Sequence, residues 1–328
     1  MLAVLLAIVA ATALMFGYLV FIWWLDRYER EPLWVVLLTF FYGAVFGTCF
    51  SCVVNSSIGA IAAEVVSKDA AKVFTTVAVA PTVEELMKGC VFIPLLLFGK
   101  NIDGRTDGLI YGAAVGLGFS TLENLWYYMN NYNAAAPDEL FALIFMRTLF
   151  TALVHAVSSA LLGMSIGYAR HRRGMGKLLF PIFGYGCAVM FHGTWNGIAS
   201  FAGFKKDEVG VAALLIGCLL VVGASLFMFI LTQLSLHSEH KVMRRYLLDE
   251  AARGVLPSEH ADIVPFWRRR WRSDWVPSGV NKHDYIKAAT LLAFRRHQMD
   301  LAGEHAQQRY MEDVATYRAQ LQKMLGRS

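Results

Sequence analysis

The sequence predicts an all-α, polytopic membrane protein of about seven transmembrane helices, followed by a helical, basic C-terminal tail. Three observations carry that expectation. Of the 328 residues, 56% are hydrophobic and 17% charged, where a soluble domain is about half apolar and a quarter charged; the mean hydropathy is +0.46. Apolar runs of about 20 residues, enough to cross a bilayer as a helix, recur as far as residue 236. The charge is also divided. Residues 1–236 hold 14 Lys/Arg and 14 Asp/Glu and residues 237–328 hold 16 and 11, so the whole net charge of +5 lies in the last stretch. This composition excludes a disordered chain and an ordinary soluble enzyme. It divides the chain into a transmembrane domain, 1–236, and a cytoplasmic helical tail, 237–328.

The spans are expected near 2–25, 33–61, 73–98, 108–129, 141–169, 178–201 and 210–235. The first lacks a basic leader and is longer than the apolar part of a signal peptide, so it reads as a retained helix. Pro81 kinks or opens the third. Gly108, Gly112 and Gly116 give the fourth a face for close helix packing. With the N-terminus outside, the short inner loops carry Arg27, Arg30, Lys100, Arg105, Arg170, Arg172, Arg173 and Lys177, and the outer ones Lys68, Lys72, Lys205 and Lys206. This positive-inside asymmetry, together with the basic tail, favours N-out, C-in. All five cysteines fall in apolar runs, where Cys acts as a small hydrophobe, the Cys49/Cys52 pair included. In the tail, 239–252 and 283–325 have helical periodicity. Between them Phe266-Trp267-Arg268-Arg269-Arg270-Trp271-Arg272 and Trp275 read as an interfacial belt on anionic membrane lipid, with no nucleic acid expected.

Charges inside the apolar runs are the functional signal, because each costs several kcal/mol to insert and is retained facing the bundle interior. They are Glu84, Glu85, Lys88, Glu123 and Arg147, joined by His155 and His192. Glu84 and Lys88 are i,i+4 neighbours and are expected to pair. Glu85 is turned about 100° away and left for chemistry. Arg147 and His155 share one span, and His192 and Asn196 share a face of the next. Arg147 cannot give up its proton, which suits it to pair a carboxylate or a substrate carbonyl.

Two imidazoles and one carboxylate make a three-ligand zinc site with a position open for water. A further Glu takes and returns a proton, and Arg147 or Asn196 stabilises an oxyanion. The same residues also suit a proton- or ion-coupled membrane transporter, although the internal repeats common in transporters are not evident. No HExxH motif of the soluble zinc proteases is present.

Asp26-x-x-Glu29-x-Glu31-Pro32, Glu84-Glu85-x-x-Lys88, Phe119-x-x-x-Glu123-Asn124, Arg147 with His155, and His192-x-x-x-Asn196 occur in this order. Together they resemble the PrsW family of intramembrane metalloproteases, related to the CAAX-protease and Abi superfamily. The likeness covers about residues 20–200. Lys88 stands where the broader superfamily has Arg, and Glu123 where it has His. The resemblance implies hydrolysis of a peptide bond in a single-pass membrane protein of the bacterial inner membrane, an anti-sigma factor being the best-known client. It also implies an active constellation of Glu84, Glu85, Glu123, His155 and His192, supported by Lys88 and Asn196. Zinc is then expected on Glu123, His155 and His192, with Glu85 or Glu84 as general base; a Glu-activated water without metal is the other option.

Overall fold

A computed structural model describes residues 2–98, 102–131, 137–170, 172, 174–205, 207–301 and 304–327. Lys100, Arg173 and Lys206, used above for orientation, lie outside them. The elements in order are α1 (Leu2–Leu25), α2 (Leu33–Tyr42), a π-helical turn (Gly43–Gly47), α3 (Thr48–Val65), α4 (Lys68–Phe74), a second π turn (Thr75–Val79), α5 (Ala80–Gly89) and α6 (Phe92–Phe98). Then come α7 (Arg105–Asn130), α8 (Pro137–Met146), a third π turn (Arg147–Thr151), α9 (Ala152–Ala169), α10 (Gly176–Lys205) and α11 (Glu208–Ala252). The chain ends with α12 (Ser258–Ile263), a 3-10 turn (Arg269–Trp271), α13 (Lys282–Leu301) and α14 (Glu304–Met324). No strand occurs among the described residues.

Among the described residues, five helical stretches are long and apolar enough to cross a membrane: Ala7–Leu25, Leu33–Val65, Asp138–Ala169, Gly176–Lys205 and Glu208–Ala252. The other two expected segments are helical but of a different kind. Residues 73–98 are divided between the end of α4, the second π turn, α5 and α6. α7 is continuous, and almost every residue from Thr106 to Ser120 is buried. A helix covered by protein on all sides has no need of lipid-facing apolar residues, which explains its lower hydropathy.

The chain divides into two compact units, Met1–Leu25 with Glu31–Thr232, and Asp26–Arg30 with Gln233–Ser328. In the first, α7 is the central helix, and the expected glycine face meets α9. A Cβ on Gly108, Gly112 or Gly116 would lie 2.0, 2.3 or 2.2 Å from the backbone oxygens of Gly163, Ser159 and His155. The same close approach brings Gly118 against Phe40 of α2. The core around it includes Met15, Val36, Phe40, Tyr111, Leu117 and Ala156. Glu31 of the acidic motif is held here, accepting from Tyr111 Oη while its backbone carbonyl accepts from Trp23 Nε1 at 2.8 Å.

The second unit closes on Met243, Leu247, Leu256, Tyr285, Leu292 and Leu321, with Tyr28 packed against them. Glu250, fully buried, accepts from Arg296 at 2.8 Å and from Arg318 at 2.6 and 2.7 Å, which ties α11, α13 and α14 together. The expected lipid belt is only partly a surface. Arg270 donates to the Val264 carbonyl at 2.6 Å, and Trp275 packs on the core. Arg268, Arg269, Trp271 and Arg272 are exposed, Trp271 at 72%. In the short turn after Pro265, Arg270 is turned inward while the basic residues on both sides of it stay exposed.

Candidate metal centre

α5 runs on from the π turn Thr75–Val79 without a break, with Pro81 in its first turn, where the missing N–H removes one bond of the helical ladder. It buries Glu84, Glu85 and Lys88. Lys88 Nζ pairs with Glu85 Oε1 at 2.7 Å, both side chains fully buried, and not with Glu84 as the i,i+4 spacing suggested. The i,i+3 partner is equally close along a helix, and what selects it is the set of donors that Glu85 meets. Ser158 and Ser159 of α9 donate to its two oxygens at 3.0 Å each, and His192 Nδ1 of α10 lies 2.9 Å from Oε1. Glu85 is therefore enclosed and saturated. Glu84 faces the other way and accepts one hydrogen bond, from Asn55 Nδ2 of α3 at 3.3 Å.

Glu123 of α7, 21% exposed at its side chain, has Oε2 2.8 Å from His155 Nε2 and 3.0 Å from Arg147 Nη2. Arg147 also donates from Nε to Asn124 Oδ1 at 2.9 Å and stacks on the Tyr127 ring at 3.7 Å. The His155 and His192 rings meet edge to face with centroids 4.7 Å apart.

The outer nitrogens set the rings. A carboxylate only accepts, so His192 Nδ1 carries the proton toward Glu85 and leaves the Nε2 lone pair free, 3.8 Å from Glu84 Oε2. An ammonium only donates, so Lys88 Nζ, 2.9 Å from His155 Nδ1, leaves the His155 proton on Nε2. A cation at Nε2 takes the place of that proton.

Donor atoms of Glu84, His155 and His192 lie within 4.8 Å of one another, all three residues buried. Glu123 Oε2 and His155 Nε2 face each other, with Arg147 beside them, but Glu84 Oε2 is buried with no hydrogen-bond partner. Native proteins leave few such atoms unsatisfied. An unpaired carboxylate oxygen beside two imidazoles, in a two-imidazole, one-carboxylate set, fits zinc. The carboxylate in that set is Glu84, where the resemblance pointed to Glu123. Glu123 reaches the group through His155.

A cavity of about 1810 Å³ opens onto this point. Glu84, Glu123, Arg147, His155 and Asn196 line it, whereas Glu85, Lys88 and His192 lie behind its wall. Asn196 spends an amide N–H on the carbonyl of Thr76, in the second π turn, at 3.0 Å. All three π turns border the site region: Gly43–Gly47 packs on α7, Thr75–Val79 precedes α5, and Arg147–Thr151 precedes His155. π turns are enriched at functional sites because the extra residue re-aims the following side chains. Sequence reading did not point to Asn55, Ser158 or Ser159. The available signal was a polar side chain in each apolar run, with Ser158 and Ser159 about one helical turn after His155.

The family model described as PrsW family intramembrane metalloprotease matches residues 31–236. Among curated proteins, the chain is 33% identical over 147 residues to Protease PrsW of Geobacillus kaustophilus, covering 44% of this chain and 58% of that one. It is 26% identical over 177 residues to Protease PrsW of Bacillus subtilis, covering 53% and 73%. For Protease PrsW of Clostridioides difficile the figures are 33% over 102 residues, 31% and 42%. The matched stretch thus spans less than two thirds of the first and third of these relatives. No solved structure matches. With the family model covering well over half of a chain whose buried Glu and His side chains meet at one point, the chain belongs to the PrsW family of intramembrane metalloproteases.

Proposed function

We propose that this protein hydrolyses a peptide bond of a single-pass membrane protein, by family likeness an anti-sigma factor, at the inner membrane of a bacterium. The observation that carries the reading is a metal-type donor set at the wall of a cavity of about 1810 Å³. Sites for small ligands occupy about 300–1,000 Å³, so the space suits a polypeptide segment better than the solute of a transporter.

Glu84, His155 and His192 would hold zinc. When bound there, zinc would supply Lewis-acid chemistry, a water of near-neutral pKa and a polarised carbonyl. Glu123, on the cavity wall, accepts a proton and returns it to the leaving amine. Arg147 stands beside Glu123 and faces the cavity, placed to stabilise negative charge on the substrate carbonyl oxygen. Glu85, closed off by Lys88, Ser158 and Ser159, keeps the His192 tautomer rather than acting as base. Asn196 holds the π turn before α5 and presents the rest of its amide to the substrate chain. The N-out, C-in orientation and the domain limits 1–236 and 237–328 belong to the same proposal, supported by the loop charges. So does contact of the exposed Arg268, Arg269, Trp271 and Arg272 with anionic lipid, each basic residue contributing about 1 kcal/mol near such a surface.

The test is elemental mass spectrometry on the purified full chain, combined with cleavage of single-pass reporters co-expressed in a bacterial host. About one zinc per chain is expected in the wild type, lost in Glu84→Ala, His155→Ala and His192→Ala. Glu123→Gln should keep the metal and lose cleavage. A folded, metal-free wild type overturns the zinc assignment. A zinc-loaded wild type that cuts none of the reporters overturns the peptidase reading.

A further inference from the structure

We infer that Asn55 is a positioning residue of the metal centre: its side-chain amide holds the Glu84 carboxylate so that Oε2 turns toward the two imidazoles. The inference rests on the zinc reading above and extends it to a residue outside every motif the sequence displays. Asn55 sits on α3, where Ser51 is the one residue buried from Thr48 to Val65. Asn55 follows Ser51 by one turn on the same face, and both line the cavity. An amide on an otherwise lipid-type helix is costly unless its polar atoms are used.

One of them is. Nδ2 donates to Glu84 Oε1 at 3.3 Å, and because a carboxylate accepts only, this settles which end of the amide faces Glu84. With Oε1 engaged, Oε2 is the oxygen that lies 3.8 Å from His192 Nε2 and belongs to the donor cluster with His155. The other end of the amide argues against simple helix packing. Asn55 Oδ1 is buried with no hydrogen-bond partner, an arrangement that costs stability and is rarely kept without use. Glu84 has no other hydrogen-bond donor among the described residues, in contrast to the four polar neighbours of Glu85. Its orientation therefore depends on Asn55.

Zinc affinity of the full-length chain in detergent, measured by competition with a chelator, tests this. Asn55→Ala and the near-isosteric Asn55→Leu should each bind zinc about 10–100-fold more weakly, the usual effect of removing such an outer partner. Asn55→Gln, which keeps the amide, should restore affinity to within a few-fold. Metal-free Asn55→Leu should melt at the wild-type temperature, separating positioning from loss of fold. Wild-type affinity in both Asn55→Ala and Asn55→Leu overturns the inference alone. So does an Asn55→Gln variant as weak as Asn55→Leu, or a metal-free Asn55→Leu that melts lower. A folded wild type that takes up no zinc overturns the zinc reading and this inference with it.

Discussion

Glu84 and Glu85 are separated by about 100° around α5, and that rotation decides what each can do. Glu85 turns into α9 and α10, where an ammonium, two hydroxyls and an imidazole enclose it. Glu84 turns to the cavity with one oxygen engaged and one free. Removing one member of a buried ion pair leaves the other charge uncompensated, at about 3–5 kcal/mol. Lys88→Met is therefore expected to lower the melting temperature of the purified protein sharply. The double change Lys88→Met with Glu85→Gln should recover part of that loss. With Glu85→Gln measured alone as well, a double variant that loses the sum of the two single losses would mean that the pair is not energetically coupled. Glu84→Gln, by contrast, should fold normally while losing zinc and cleavage together.

Helices that touch backbone to backbone have no room for a side chain. A Cβ on Gly112 would stand 2.3 Å from the Ser159 carbonyl, and no rotamer change moves a backbone atom. Gly112→Ala should force α7 and α9 apart at about 1–3 kcal/mol, visible as a lower melting temperature. Because Ser159 and His155 lie on the same α9 surface, zinc affinity should fall as well. Gly197→Ala is the control. Its nearest contact would be the Val77 side chain at 3.6 Å, ordinary packing, and its melting point should stay near wild type. The π turns work at the same scale. Each adds a residue to a turn just ahead of a segment that carries or packs on site residues, and so fixes the angle at which α5 and α9 present them.

At the scale of the whole molecule, the Asp26–Arg30 stretch belongs to the same compact unit as the last hundred or so residues. Glu29 pairs with Arg295 at 3.3 Å, and Arg270 stacks over Tyr28 at 5.4 Å. Deleting residues 260–328 removes both partners. The truncated chain should still bind zinc, since the proposed ligands Glu84, His155 and His192 all lie in the other unit, but trypsin should cut at Arg27 and Arg30 much faster. Loss of zinc on truncation would show instead that the metal centre needs the tail. The same unit carries a pH response. His260 is buried against Tyr285 Oη, 2.8 Å from Nδ1, and burial lowers its pKa from the ordinary 6.5. As the pH falls through 6.5 the unfolded chain takes up this proton before the folded one, so stability conferred by the neutral ring is present above 6.5 and declines below it. The protection factors of 283–301, which correct hydrogen exchange for its intrinsic pH dependence, should fall from pH 7 to 5, and the fall should shrink in His260→Gln.

Composition and hydropathy by themselves determined an all-α membrane protein, because apolar runs of bilayer length leave a chain few other folds. The cost of charge in such runs likewise singled out Glu84, Glu85, Lys88, Glu123, Arg147, His155 and His192. The glycine ladder of α7 was legible for the same kind of reason, since small residues at helical spacing have one physical use in a membrane. Only the tertiary structure decided the pairings. Lys88 chose Glu85 over Glu84 because α9 and α10 crowd one side of α5 with donors, and no spacing along α5 encodes what its neighbours present. Glu84 joined the imidazoles, and Asn55 and Ser158 entered the site, through contacts between residues 29 and 73 positions apart in the chain. Periodicity reports which face of a helix is buried, whereas a hydrogen bond depends on which partner that face meets.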